Sequence, residues 1–294
     1  LGPILGTGGL AMIIPPSTLG VLLASIAGLD VGRLLIAGII PGIVLAFLYS
    51  GLILLQVTLD PSSAPAYQLD KTSTREKIMG LMVNVVPMAI VVFVVIGLII
   101  FGIATPTEAA AFGVLGVFIL ALLFRLLTFE AMYVSIESTI RVAGMVLFII
   151  MSSTVFSQLL AYSGATAGML KWATGLEVST LTLLLCMFCV LLVLGMFMDP
   201  VSMMLIAVPI MFPLIISLKV DPIWFGVFFL MALEMSQTTP PFGLLLYIMI
   251  GVAPPGTTLY QVASAAFPFL ICDGILVGLL VLFPMLALWL PTLM

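Results

Sequence analysis

Charge is what this sequence has least of. Only 7% of its 294 residues are Asp, Glu, Lys or Arg, against roughly a quarter in a soluble domain. So few charges cannot clothe a chain of this length in water. Histidine is absent altogether, which removes the usual general base, the commonest metal ligand and the motifs built on them. No G-x-S-x-G, no paired catalytic carboxylates and no metal-ligand spacing take its place, so the chain is not read as an enzyme and no cofactor is expected. Basic tracts are missing too, and the net charge is −4; no nucleic-acid partner is expected. Cysteine is scarce. Cys186 and Cys189 form a C-x-x-C inside the apolar run Leu181–Leu194, with no second pair and no His, and are read as ordinary packing. The chain opens on Leu1 with no basic region before its first apolar stretch, which Gly and Pro interrupt. No signal peptide is read, and the chain is expected to begin inside a longer protein.

What is there is apolar. Hydrophobic residues make up 64%, and residues 34–59, 78–107, 142–170 and 235–272 hold no charged side chain. A helix needs about 20 apolar residues to cross a bilayer. The runs are continuous and not alternating, which selects helices over a barrel. The expected fold is an all-α polytopic membrane protein with the lipid bilayer as its solvent.

The chain reads in segments. Residues 1–57 hold an apolar helix (1–28) interrupted at Pro15-Pro16 and a span at 33–57. Residues 58–77 are the one long polar loop. Residues 78–160 supply spans at 78–104, 108–127 and 138–160. Residues 161–177 look interfacial, with Lys171 and Trp172 as anchors. Residues 178–218 are two apolar arms around Asp199-Pro200, read as a re-entrant hairpin. Residues 223–252 span with an interruption at Thr238-Thr239-Pro240-Pro241, and 258–290 form a last long span. With 58–77 in the cytoplasm, Lys71, Arg75, Lys77, Arg125 and Arg141 fall inside and Arg33, Lys171 and Lys219 outside. That agrees with the positive-inside rule.

An internal repeat is visible. Pro15-Pro16 precedes Pro41 by 24 intervening residues, and Pro240-Pro241 precedes Pro268 by 26. Each unit is a broken span, a Gly-containing link and an intact span with one Pro. Under the orientation above, the two broken spans cross in opposite directions, as an inverted repeat requires. Broken apolar segments in matching positions of two halves point to a transporter binding site.

Asp199 is a lone carboxylate between apolar runs. It is read both as a functional group at membrane depth and as the N-cap of the helix that Pro200 opens. Gly195, Met198 and Asp199 at this tip, with Ser236, Thr238, Thr239 and Pro240, offer carbonyls and hydroxyls suited to a hard cation. Proline lacks the N–H that would engage the carbonyl four residues earlier. Gly195, Met198, Ser236 and Thr239 are the Na⁺ candidates. Ile14, Pro15 and Ser17 repeat the chemistry in the first half. Glu234 and Asp273 also sit inside spans, and each either lines a polar cavity or finds a partner in the bundle; the second reading is favoured for Asp273. Thr105-Pro106-Thr107-Glu108 matches a capping box. Glu137 and Arg141 are spaced to neutralise each other. Ser153, Thr154, Ser157 and Gln158 make a polar stripe, read as interhelical hydrogen bonding. G-x-x-x-G occurs at Gly38–Gly42, Gly164–Gly168 and Gly274–Gly278.

IIPPS (13–17), AGIIPG (37–42), ATPTEAAA (104–111), GMFMDPVSMMLIAVPIMFP (195–213), TTPPFG (238–243), GVAPP (251–255) and FPMLALWLP (283–291) follow one another along nearly the whole chain. Together they resemble the large membrane subunit of tripartite ATP-independent periplasmic (TRAP) transporters. The resemblance implies an ion-transporter architecture of scaffold and transport domains, inverted repeats, re-entrant hairpins and elevator-type movement in the bacterial inner membrane. It puts the second hairpin tip at Gly195–Asp199, its unwound partner at Ser236–Gly243, and the first unwound span at Ile14–Ser17. It implies Na⁺ as coupling ion, uptake of an organic acid such as a carboxylate or sialic acid, a periplasmic substrate-binding protein and a small membrane subunit. It also implies that the family's N-terminal part, with the first hairpin, lies outside this chain. Glu234 stands where many relatives carry Gln or another neutral residue. The alternative is a divalent-anion/sodium symporter of related architecture that works without a binding protein.

Overall fold

A computed structural model describes residues 1–61, 73–165, 167–168, 171, 175 and 178–293. Among them every regular element is helical: α1 Gly2–Ile13, α2 Thr18–Ala27, α3 Val31–Ala37, α4 Ile39–Leu59, α5 Thr74–Gly80, α6 Val86–Ile100, α7 Pro106–Leu123, α8 Phe129–Tyr162, α9 Thr180–Phe197, α10 Pro200–Ser217, α11 Pro222–Gln237, α12 Leu244–Val252, α13 Leu259–Leu282 and α14 Met285–Leu288. Seven stretches are long and apolar enough to cross a membrane, and α1 with α2, bent by 41° at their break, make an eighth if counted as one span. The chain is an all-α, multi-pass membrane protein.

The helix starts follow local chemistry. Asp30, Ser179, Asp199 and Asp221 each accept a backbone N–H from the first turn of the helix they precede. Full capping boxes open α5 (Ser73, Glu76), α7 (Thr105, Glu108) and α13 (Thr258, Gln261). Between α5 and α6 the backbone widens into a π turn over Leu81–Val85. Pro87 has no N–H for Val83, and the N–H of Val86 reaches back to Leu81.

Three sequence boundaries move. α8 starts at Phe129 and not near 138, because Thr128 caps it through the Ala131 N–H at 3.0 Å. Glu137 and Arg141 pair on its surface at 3.0 Å, as their spacing predicts. The span expected over 258–290 ends at Leu282. Phe283 precedes Pro284 and takes the extended-side conformation (φ −129°, ψ 75°) that a following proline favours. Part of the polar loop is already helix: α5 begins at Thr74. Of the segment 161–177 read as interfacial, Trp172 and residues 166, 169, 170, 173, 174, 176 and 177 lie outside the described residues.

The chain divides into two compact units, Leu1–Leu55 with Val146–Leu293, and Gln56–Met145. In the second, α6 packs on α7, where Gly113 and Gly116 let Val95 and Val91 approach. Ile99 and Ala109 are buried there. The first unit is built around α11. Nearly every residue from Trp224 to Gln237 is buried, as expected of a helix apolar on all sides. Around it pack α1, α2, α3, α9, α10, α13 and α14. Phe188, Trp224, Phe225, Phe228 and Phe212 make successive ring contacts of 4.8 to 6.0 Å. The Trp224 indole N–H donates to the Leu280 carbonyl at 3.0 Å. α9 lies on α11 while α10, after the turn at Met198-Asp199, lies on α2.

Of the G-x-x-x-G pairs, only Gly38 and Gly42 meet a neighbour: a Cβ would come within 2.3 Å of the Ile13 carbonyl oxygen and 2.3 Å of Ile14 Cγ1. Among the described residues, nothing lies within 4 Å of a Cβ placed on Gly164, Gly168, Gly274 or Gly278. Of the polar stripe on α8, Ser153 is buried and Thr154 is exposed, its hydroxyl donating to the Ile150 carbonyl. Cys186 and Cys189 are free and exposed.

Candidate functional site

The sequence candidates gather at the helix breaks of the first unit. At the first break α1 ends on Ile14, whose N–H bonds to the Leu10 carbonyl at 2.9 Å. Pro15 is buried, and the Pro15-Pro16 bond is cis. Ser17 is 1% exposed and fully engaged. Its hydroxyl donates to the Met12 carbonyl and accepts the Gly20 N–H at 3.0 Å, capping α2. This break is closed by its own atoms and by Gly38 and Gly42 behind it.

The second break follows α11. Ser236 is buried and Thr239 half-buried; their hydroxyls donate to the Leu233 and Met235 carbonyls at 2.8 and 2.6 Å. Buried Thr238 donates to Met235 at 3.1 Å. Each hydroxyl spends its hydrogen on a nearby backbone carbonyl and can act toward anything else only as an acceptor. Pro240 is exposed, and its bond to Pro241 is cis. Gly243 folds back so closely that a Cβ would sit 2.7 Å from the Gln237 carbonyl oxygen and 2.9 Å from that of Thr239. No larger residue fits there without moving backbone.

The hairpin tip meets this break. A Cβ on Gly195 would lie 2.1 Å from Ser236 Oγ, and Gln237 Nε2 donates to the Gly195 carbonyl at 3.4 Å. Phe197 and Phe242 stack nearby with centroids 5.5 Å apart. Met198 is the extended residue that ends α9. Asp199 caps α10, accepting the N–H groups of Val201 and Ser202 at 3.0 and 3.1 Å and the Ser202 hydroxyl. Gly195, Ser236, Thr238, Thr239 and Gly243 are thus brought together, while Ile14, Pro15 and Ser17 form the group at the first break.

The fold brings together two carboxylates that stand far apart in the sequence. Glu234 and Asp273 lie 39 positions apart, yet both approach the hydroxyl of Tyr49, which reaches Glu234 Oε1 at 3.1 Å and Asp273 Oδ1. All three are 1–2% exposed. Asp273 finds its partner in the bundle. Glu234 bonds to Tyr49 as well, and all three line a small cavity with Thr238, Leu5, Gly6, Ala266 and Phe269, so each carboxylate both has a partner and lines a cavity. Tyr49 and Gly9 escaped the sequence reading, and Gln237 entered it only as part of the stretch Ser236–Gly243. Gly9 makes room for Glu234: a Cβ there would fall 2.1 Å from Oε1. Tyr49 is a lone tyrosine in an apolar span, and its partners stand 185 and 224 residues away.

Two buried oxygens among the described residues have no hydrogen-bond partner: Glu234 Oε2 and Gln237 Oε1. Buried polar atoms are nearly always satisfied, so each exception asks for an explanation. Both lie in the last turn of α11, beside the second break.

The sequence profile described as "Tripartite ATP-independent periplasmic transporter, DctM component" matches residues 4–288. This chain belongs to that family. It is similar to the C4-dicarboxylate TRAP transporter large permease protein DctM of Rhodobacter capsulatus, 32% identical over 100% of this chain and 68% of the relative. The DctM of Pseudomonas aeruginosa is 31% identical over 99% and 66%. The sialic acid TRAP transporter permease SiaT of Haemophilus influenzae is 26% identical over 96% of this chain and 45% of its own length. The chain therefore spans about two thirds of the DctM relatives, and less of SiaT. Family and apolar helices together make it a multi-pass protein of the inner membrane.

Proposed function

We propose that this chain is the major part of a TRAP large permease that takes up an organic acid, a carboxylate or sialic-acid-like compound, with Na⁺ as the coupling ion. The observation that carries the reading is the unfilled polar capacity at the second break. Gln237 Oε1 is buried without a partner beside the Ser236 and Thr239 hydroxyls and the Gly195 carbonyl. Oxygens of this kind match the preference of a hard cation, and broken helices are where secondary transporters hold ions. Gly195, Met198, Ser236 and Thr239 would supply the Na⁺ contacts. The first break, with Ile14, Pro15 and Ser17, would face the same pathway as its counterpart in an inverted repeat, and the two would move in an elevator-type step. A periplasmic binding protein would deliver the substrate and a small membrane subunit would complete the permease. The relatives' names support the substrate class: they specify C4-dicarboxylate, sialic acid, isethionate and ectoine.

The test is uptake of labelled C4-dicarboxylates and sialic acid by the full-length permease, reconstituted with its small subunit and binding protein. Uptake should saturate, need a Na⁺ gradient and stop without the binding protein. Na⁺-driven uptake that ignores the binding protein would favour the related symporter. Uptake indifferent to Na⁺ would refute the coupling.

A further inference from the structure

The last turns of α11 present polar side chains on two faces, and the helix-break candidates use one of them. Ser236 turns toward α9, where a Cβ on Gly195 would stand 2.1 Å from its Oγ. A step of two residues is more than half a helical turn, so Glu234 looks the other way, toward α1, α4 and α13. A Cβ on Gly9 would stand 2.1 Å from Glu234 Oε1. The Tyr49 hydroxyl meets that oxygen at 3.1 Å and also Asp273 Oδ1. The small cavity on this face is lined by the oxygen-bearing side chains of Tyr49, Glu234, Thr238 and Asp273. Gly195, Met198, Ser236 and Thr239 do not line it.

This cavity calls for an occupant. Glu234 is 1% exposed, and its Oε2 has no hydrogen-bond partner among the described residues. The atom is stripped of water without compensation whether or not it carries a hydrogen, because neither a donor nor an acceptor faces it. Tyr49 has one hydrogen to donate and a carboxyl oxygen on either side. Its second contact sets lone pair against lone pair unless positive charge lies close by. No basic side chain brings that charge. Among the described residues of the first unit, Lys and Arg occur only at Arg33, Lys171 and Lys219, all exposed. Buried carboxylates without a basic partner are expected to coordinate a cation.

We propose that the cavity is a separate site for a single Na⁺, held by the carboxylates of Glu234 and Asp273 and the hydroxyl oxygens of Tyr49 and Thr238. The donors are all oxygen, which selects a hard cation. The space admits about one body the size of a water. Ca²⁺ takes about six to eight oxygens and Mg²⁺ keeps several of its waters; neither fits, whereas an alkali ion gives up its waters more readily. Thr238 spends its hydrogen on the Met235 carbonyl at 3.1 Å, so toward the cavity it is an acceptor. Tyr49 donates to one carboxylate and offers its oxygen to the ion. The ion supplies the missing positive charge and the missing partner of Glu234 Oε2 together. It also ties α4, α11 and α13 to one another, and an ion bound only by the folded state stabilises that state. The site does not depend on the Na⁺ proposed at the second break.

The test counts ions. The purified full-length permease with its small subunit is dialysed to equilibrium against radiolabelled Na⁺, without substrate. Asp273→Asn is the decisive variant, because it lies on α13 and leaves Ser236 and Thr239 untouched. It should bind one Na⁺ fewer than the unaltered permease, as should Glu234→Gln, whereas Thr239→Ala keeps this ion. Replacing choline chloride by NaCl should raise the thermal unfolding midpoint, and by a smaller amount in the two carboxyl variants. Tyr49→Phe keeps both charges and serves where a carboxyl variant fails size-exclusion chromatography. It should weaken this ion about tenfold, as loss of a group that orients the ligands does, and an unchanged affinity there overturns the proposal. An unchanged count in folded Asp273→Asn overturns it as well. So does an infrared band of a protonated carboxyl that persists in NaCl and vanishes in Glu234→Gln, since the cavity would then hold a neutral acid and a water. A site that takes Ca²⁺ or Mg²⁺ and ignores Na⁺ has the same consequence. Failure of the coupling reading looks different: uptake indifferent to Na⁺, with an ion still lost in Asp273→Asn, refutes the coupling and leaves this site standing.

Discussion

The two helix breaks share a Pro-Pro pair and neighbouring hydroxyls, and differ in what those polar atoms have left to do. At the first, Ser17 both donates and accepts within its own turn, and glycines on the next helices close over Ile13 and Ile14. At the second, hydroxyls cluster around Gln237, whose buried oxygen has no partner, one turn above a carboxyl in the same condition. Equal backbone disruption therefore does not mean equal binding capacity. The first break is satisfied from within, whereas the orphaned oxygens at the second are what the proposed ligand role explains.

That contrast can be broken by experiment, in the full-length permease with its partners. The largest effect is expected at Gly195. An Ala there would place Cβ 2.1 Å from Ser236 Oγ and 2.5 Å from its Cβ, costing about 1–3 kcal/mol by overpacking and abolishing uptake. Adding Ser236→Gly should restore the thermal unfolding midpoint but not Na⁺ activation, because the hydroxyl is then gone. Restored activation would remove Ser236 from the ligand set.

Asp199→Asn should come next. Asn caps as well as Asp, so folded yield should hold, while Na⁺-driven uptake falls about tenfold, or about 1.4 kcal/mol, if the charge at the tip serves transport. Full uptake in Asn with loss only in Ala would make Asp199 a cap and nothing more. Gln237→Leu and Thr239→Ala should raise the half-activating Na⁺ concentration severalfold, about 1 kcal/mol each, with little change in unfolding. Ser17→Ala is the counterpart at the first break. It should cost about 1 kcal/mol of stability through the lost cap and leave Na⁺ activation alone; a Na⁺ effect as large as that of Thr239→Ala would erase the distinction between the breaks. The smallest effect is expected at Gly274, where a Cβ meets open space. Gly274→Ala should stabilise α13 by about 0.5–1 kcal/mol or less through helix propensity.

Much of this was legible in the chain. Uncharged runs fixed the helical membrane class because the bilayer admits few alternatives. Pro-Pro pairs located the breaks, and Asp199-Pro200 the turn between α9 and α10, because these residues act on the backbone they occupy. The capping boxes at Thr105 and Glu108 were readable for the same reason. What stayed hidden depends on distant parts of the chain. Tyr49 gives no local sign of meeting Glu234 and Asp273. Three G-x-x-x-G pairs look alike in sequence, and among the described residues only Gly38 and Gly42 have neighbours where a Cβ would stand, Gly38 against the Ile13 backbone and Gly42 against the Ile14 side chain. Hydropathy is equally silent on burial: Thr74–Ile100 and Leu259–Leu282 are both strongly apolar, yet 6% of the first window is buried within the chain and 39% of the second. Lipid and protein interior are alike to an apolar side chain, so composition cannot separate them.

The missing side chain at Gly9 has a consequence for how such permeases can diverge. The volume a Cβ would need there is taken by the carboxyl of Glu234. The two positions are therefore not free to drift separately. A lineage that keeps Glu or the equally long Gln at 234 must keep Gly at 9, while one that shortens 234 gains room for Ala or Ser opposite. Read across many sequences, the pair should exchange together, and a chain with both a long acid at 234 and a side chain at 9 would need a different approach of α1 to α11.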